Sequence, residues 1–174
     1  DQPIAAGLLL AAGAGRRMGG PKAVVELDGE PLVRRALRVL ADGGCAPRVV
    51  VLGAAADAVR AILPEGVTAV EAADWPEGMG ASLRTGLAAL PPDVDAVLVH
   101  LVDLPGVTAA AVARLADRAG PATLRRASYH GRPAHPVVLG RDHWAGVMES
   151  AKGDAGARDY LKARGILGTS ILWF

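Results

Sequence analysis

Short, almost unbroken apolar runs alternate with segments of helical periodicity along most of this chain. Ala6–Ala12, Arg48–Leu52, Val67–Ala72 and Ala96–Val102 read as strands, because a strand buried on both faces shows no polar alternation. Pro31–Asp42 carries Leu32, Ala36, Leu37 and Leu40 at helical spacing, with arginines opposite and Gly43-Gly44 ending it. Ala54–Leu63, Gly80–Leu90 and Ala109–Ala119 read as further helices, the last with Thr108 as N-cap. Leu124–Ser128 and Pro136–Leu139 are expected to flank a polar loop as strands, with helices over Asp142–Ala151 and Ala155–Arg164. This alternation implies an α/β fold of three layers, a mainly parallel sheet covered by helices on both faces. Ligands in such folds sit outside the carboxyl ends of the strands. Two of those ends carry chemistry, at Gly13 and at Asp103.

The chain is 174 residues long, enough for one domain spanning 1–174, and no repeat or linker divides it. Apolar residues make up 51% but aromatics only 3%, so the core must be aliphatic. A formal net charge of +1 without a basic block disfavours nucleic acid as the partner. No apolar run reaches the roughly 18 residues of a membrane span. The single cysteine, Cys45, excludes an internal disulfide and is expected to be a small buried side chain. A reducing, cytoplasmic setting is the simplest expectation.

The first strand runs into Leu10-Ala11-Ala12-Gly13-Ala14-Gly15-Arg16-Arg17-Met18-Gly19-Gly20-Pro21-Lys22. Glycines let the backbone approach a ligand without a Cβ in the way, and successive N–H groups in such a turn form an anion-binding concavity. Arg16, Arg17 and Lys22 add the positive charge that a triphosphate needs. A Walker A loop is excluded: Gly15 and Gly20 have its spacing, but Pro21 displaces Lys22, and Ala23 offers no hydroxyl. The dinucleotide fingerprint fails too, with Met18 at its third glycine and Leu52-Gly53 where an acidic strand end is needed. The loop closely resembles the signature of the MobA-like nucleotidyltransferases. That resemblance covers essentially the whole chain and implies a Rossmann-like sheet of the GT-A type. It implies a nucleotide-binding backbone through Leu10, Ala11, Ala12, Gly13, Ala14, Gly15 and Arg16, and catalytic phosphate-binding roles for Arg17 and Lys22.

Asp74–Leu83 reads as a turn entering a helix, where backbone donors near Gly80 and the Ser82 hydroxyl could contact a base or ribose. Gly78-Met79-Gly80-Ala81-Ser82-Leu83 resembles the corresponding stretch of the cytidylyltransferase branch, the molybdenum cofactor cytidylyltransferases. Ala12 and Ala81-Ser82-Leu83 therefore lean towards CTP over GTP. Asp103, at a strand end stopped by Pro105, is the expected Mg2+ ligand and a catalytic residue, since magnesium prefers hard carboxylate and phosphate oxygens. Relatives usually have Gly before this aspartate, where Val102 stands. His100 is expected to share the face of Asp103 and to be a packed, hydrogen-bonded histidine. Gly131–Pro136 and Gly153–Arg158 also resemble segments of the cytidylyltransferases, which makes His135, Asp154 and Arg158 candidate acceptor-binding residues. His135 and Arg158 suit an acceptor's terminal phosphate, and Asp154 suits either a metal or a helix cap at Ala155. The acidic Asp-x-Asp-Thr-Pro segment that many relatives carry near the C-terminus does not occur.

The resemblance implies transfer of CMP to a phosphate acceptor such as molybdopterin, with pyrophosphate released and a molybdenum hydroxylase as a candidate partner. Three alternatives stand beside it: a guanylyl donor, a sugar-phosphate acceptor, or a nucleotide-binding accessory protein without turnover.

Overall fold

The computed structural model describes residues 5–13, 22–166 and 168–170, with backbone alone at 169–170. Its centre is the strand β1 (Ala5–Ala11), whose side chains are buried from Ala6 onward. Chain order continues with β2 (Glu26–Leu27), β3 (Glu30–Pro31), α1 (Leu32–Asp42), β4 (Arg48–Leu52), α2 (Ala56–Arg60) and β5 (Val67–Glu71). Then come α3 (Met79–Ala88), β6 (Ala96–Leu101), α4 (Ala109–Ala116), β7 (Leu124–Tyr129), β8 (Arg132–Gly140), α5 (Trp144–Ser150), α6 (Arg158–Ala163) and β9 (Thr169–Ser170). Seven strands form one sheet in the order β5-β4-β1-β6-β8-β7-β9, while β2 and β3 pair separately. β1 pairs in parallel with β4 and β6, and β4 with β5. β8 runs antiparallel to both β6 and β7. The expected three-layer, mainly parallel arrangement is therefore present.

Alternation along the strands sorts the core into two halves. Leu9, Val50, Leu52 and Leu98 face α1 and α4, meeting Leu37, Leu40, Val112 and Leu115. Leu8, Leu10, Val51 and Val99 face α3, α5 and α6, meeting Leu83, Leu87, Val147 and Leu161. Each fully buried Leu or Val contributes about 1.5–3 kcal/mol by leaving water, which suffices for a core almost without aromatics. Cys45 is 3% exposed inside the first half, as expected. The Thr108 hydroxyl accepts from the Ala111 N–H at 3.1 Å and caps α4 as the sequence predicts.

Several boundaries differ from the sequence reading, each for a local reason. The first turn expected of the helix over 54–63 is lost because Ala55 is left-handed at φ +53, so α2 begins at Ala56. α6 starts at Arg158 rather than Ala155, since Gly156 at φ +54 cannot lie inside a helix. A 3-10 turn over Arg141–His143 precedes α5. β8 begins four residues earlier than expected, because its pairing with β7 accommodates the proline-rich stretch through a register shift at Arg126/Ala127. The β2–β3 hairpin was missed altogether. Its signal was Asp28-Gly29, both left-handed here at φ +53 and +81, the dipeptide that two-residue hairpins favour.

Candidate functional site

β1, β6 and the start of α3 open onto one cavity of about 400 Å3 at the carboxyl ends of the parallel strands. Leu10, Ala12 and Gly13 reach it from the first strand, Lys22 from the far end of the glycine-rich loop, and Asp103 from the end of β6. Ser82 and Asp154 complete the polar wall. Seven residues expected from sequence thus meet at one place. Ala14, Gly15, Arg16 and Arg17 lie outside the described residues.

β6 presents Asp103 rigidly. The Val102 N–H donates to the Leu10 carbonyl at 3.3 Å, tying the two strand ends together. The Arg35 Nε donates to the Pro105 carbonyl at 3.0 Å, fixing the turn that follows. Asp103 itself is exposed and makes no hydrogen bond or ion pair among the described residues, so its oxygens are available to a cation. Among those residues no group of three or more His, Cys, Asp or Glu converges as a preformed metal cage. Two carboxylates in one open cavity suit a hard cation whose remaining ligands are water and phosphate oxygens.

The opposite wall is built from the α3 entrance. Gly78 takes φ +112, and a Cβ there would meet an Asp154 carboxylate oxygen at 2.5 Å and the Gly153 carbonyl carbon at 2.7 Å. The Gly80 N–H donates to the Gly153 carbonyl at 2.7 Å, and the Met79 N–H donates to an Asp154 oxygen at 3.4 Å. The Gly80 donor is therefore already engaged. Asp154 caps α3 rather than a helix at Ala155. Ala81 and Leu83 are core residues, 1% and 2% exposed, which leaves Ser82 as the part of that stretch facing the cavity. Ala11, too, points into the α1 side of the core, so the β1 side chains facing the cavity are Leu10 and Ala12.

Trp75 and Met79 also line the cavity, and the sequence reading passed over both. Trp75 lies against Gly53, where a Cβ would come within 2.6 Å of the indole. The end of β4, where a dinucleotide fold carries an acid, is thus closed by an aromatic side chain.

His100 corrects one expectation. It lies three residues before Asp103 and packs on the opposite face of the sheet, beside Leu32 and Ala36 of α1. It is buried as expected, but its Nδ1 has no hydrogen-bond partner among the described residues. Desolvation, with His135 nearby, lowers its pKa to about 4. His135 and Arg158 do not line the cavity; each is close enough to Arg126 of β7 to interact with its charge. Burial and the Arg126 charge lower the His135 pKa to about 4, so it is a neutral ring at pH 7.

Comparison with known proteins gives this geometry its family. The MobA-like NTP transferase domain matches residues 7–167. The chain belongs to that family. It is 40% identical over 94% of its length to a Paenarthrobacter nicotinovorans protein named nicotine blue oxidoreductase, 84% of which is covered. It is 32% identical, over 82% of this chain and 67% of the relative, to the molybdenum cofactor guanylyltransferase of Rhodobacter capsulatus. A solved Mycobacterium tuberculosis protein superposes with TM-score 0.83 at 28% identity, covering 98% of this chain and 88% of that one. That protein has also been solved as a manganese complex. Among the described residues of this family member, no helix is long and apolar enough to cross a membrane.

Proposed function

We propose that this protein is a magnesium-dependent nucleotidyltransferase that takes CTP and transfers CMP to a small phosphate acceptor such as molybdopterin. The observation that carries the reading is the convergence of Gly13, Lys22, Ser82 and Asp103 on one cavity at the strand ends. An acceptor phosphate oxygen attacks the α-phosphorus, a new P–O bond forms, and the bond to the β-phosphate breaks to release pyrophosphate. Lys22, with Arg17, balances the charge on the departing pyrophosphate, and the Gly13 backbone lies close to the phosphates. Asp103 is the proposed magnesium ligand, while Asp154 stays in the opposite wall on the Met79 N–H; bound metal would supply positive charge to the phosphate oxygens. The chain itself positions and neutralises, and forms no covalent intermediate.

CTP is favoured over GTP on Ala12 and Ser82, the two members of the discriminating stretches that face the cavity. The guanylyltransferase names among the relatives make GTP the direct rival. A cytoplasmic setting and a molybdenum hydroxylase as recipient belong to the same proposal. Pyrophosphate release should be assayed with ATP, GTP, CTP and UTP, with and without molybdopterin. Release with CTP that depends on molybdopterin supports the reading. Release with GTP alone moves the protein to guanylyl transfer, and no release with any pair refutes transfer to this acceptor.

The 40% identical relative named nicotine blue oxidoreductase favours a second reading, redox chemistry on nicotine blue at the same cavity. The β4 terminus argues against a Rossmann-type nicotinamide site, because Trp75 covers Gly53 where the ribose-binding acid would stand. Oxidation of NADH or NADPH by the purified protein with nicotine blue would establish the rival.

A further inference from the structure

Arg126 is a buried cation without a counter-charge. It is 6% exposed, and no carboxylate lies within ion-pair distance of it among the described residues. Its guanidinium donates through Nε and one terminal nitrogen to a single backbone oxygen, Ala134 O, at 3.3 and 3.2 Å. Its charged neighbour Arg158 repels it, and the adjoining His135 is neutral. The residues outside the described set contribute one acidic side chain, Asp1. Arginine stays protonated in proteins, so it cannot escape the cost of burial by losing its charge. An unpaired charge of this kind costs several kcal/mol, and an anionic ligand would remove that cost.

The cluster also borders the cavity. β8 pairs with β6 as far as Val99↔Val137, which brings His135 level with Leu101, a residue of the cavity wall. Gly156, two residues before Arg158, lies against Met79, where a Cβ would come within 2.9 Å of the sulfur. Met79 lines the same cavity. In the sheet, β1 and β8 flank β6 on opposite sides. Arg126 lies on β7, beyond β8 and on the side of β6 away from β1.

We propose that Arg126 anchors a second anion subsite on the β8 side of the cavity, built to take a phosphate monoester dianion, with Arg158 as the outer cation. This deepens the function proposed above by naming the side chain that would anchor the acceptor's phosphate, and rests on it only for calling that anion the acceptor. His135 contributes a neutral hydrogen-bonding ring to the subsite, so the positive charge comes from Arg126 and, at the exposed rim, from Arg158, whose Nε also lies 3.7 Å from an Asp159 carboxylate oxygen.

Inorganic phosphate is the probe, titrated by calorimetry and by its effect on melting temperature, without nucleotide. Arg126→Met should weaken phosphate binding at least about tenfold, the scale of one charge-assisted bond, whereas Arg60→Gln, at an exposed arginine paired with Glu71, should keep it within about twofold. Arg126→Lys, which keeps the charge but loses the fork, should fall between them. Without phosphate, Arg126→Met should melt at or above the wild-type temperature, because an uncompensated charge has gone. Phosphate affinity that survives Arg126→Met and disappears in Lys22→Ala would overturn the proposal. So would an Arg126→Met protein that melts early while Arg126→Lys restores the melting temperature but not phosphate binding. The titration needs no turnover. Arg126-dependent phosphate binding in a protein that transfers no nucleotide would retire the transferase reading and leave the subsite standing.

Discussion

Two carboxylates share the cavity, and the protein holds them in different ways. Asp103 follows a buried strand and makes no hydrogen bond among the described residues, although the Val102 N–H before it and the Pro105 carbonyl after it are both bonded. Asp154 accepts from the Met79 N–H and packs so closely on Gly78 that a single methyl group would collide with it. A carboxylate without a partner among the described residues fits the proposed role of Asp103 as a cation ligand. A carboxylate bonded to a helix start is part of the wall. The two glycine positions nearest them repeat the contrast. Among the described residues a Cβ on Gly13 would meet nothing within 4 Å, whereas Gly78 is required by its neighbours and its φ of +112.

Asp103→Asn offers the largest test of this difference. It keeps shape and one oxygen but loses the charge that holds a divalent ion, and metal bridging is worth several kcal/mol. Turnover should fall about a hundredfold or more, with the ligand-free melting temperature unchanged or slightly raised. If the variant unfolded easily while its folded fraction kept full activity, Asp103 would be a structural cap and the contrast with Asp154 would disappear. Gly78→Ala should act the other way, costing about 2 kcal/mol of stability through strain and displacement of Asp154, measured by chemical denaturation. Gly13→Ala in the same assay should stay within about 0.5 kcal/mol, as substitutions in open space do. Equal losses at the two glycines would break the comparison. Lys22→Ala should weaken triphosphate binding at least about tenfold, consistent with one charge-assisted bond. Asp154→Ala should cost about 1 kcal/mol of stability for a lost helix cap, read from the melting temperature.

How far the sequence revealed this site depended on the kind of signal. β1 and β6 were legible because strands buried on both faces are unbroken apolar runs, and their ends placed Gly13 and Asp103 correctly at one cavity. Lys22 was legible because a glycine-rich loop with its own cations has few other uses. Asp154 was visible, but not its role: the contact joins positions 75 residues apart, and only the folded chain shows that it caps α3. Trp75 was missed for a similar reason, since its place depends on Gly53 at the end of another strand. Arg126 was hidden inside a strand pattern, where an arginine reads as an exposed edge residue until the register shift and β8 cover it. His100 misled through strand parity: three residues separate it from Asp103, and an odd spacing puts side chains on opposite faces.

The central claim is nucleotidyl transfer, and the fate of the α-phosphorus tests it most directly. Purified protein should be incubated with CTP labelled at the α-phosphorus, magnesium and molybdopterin, and the label followed chromatographically. Label should move from CTP into an acceptor-linked CMP product, with one pyrophosphate released for each label transferred. Label that remains in CTP, while the same protein consumes NADH or NADPH in the presence of nicotine blue, would contradict it.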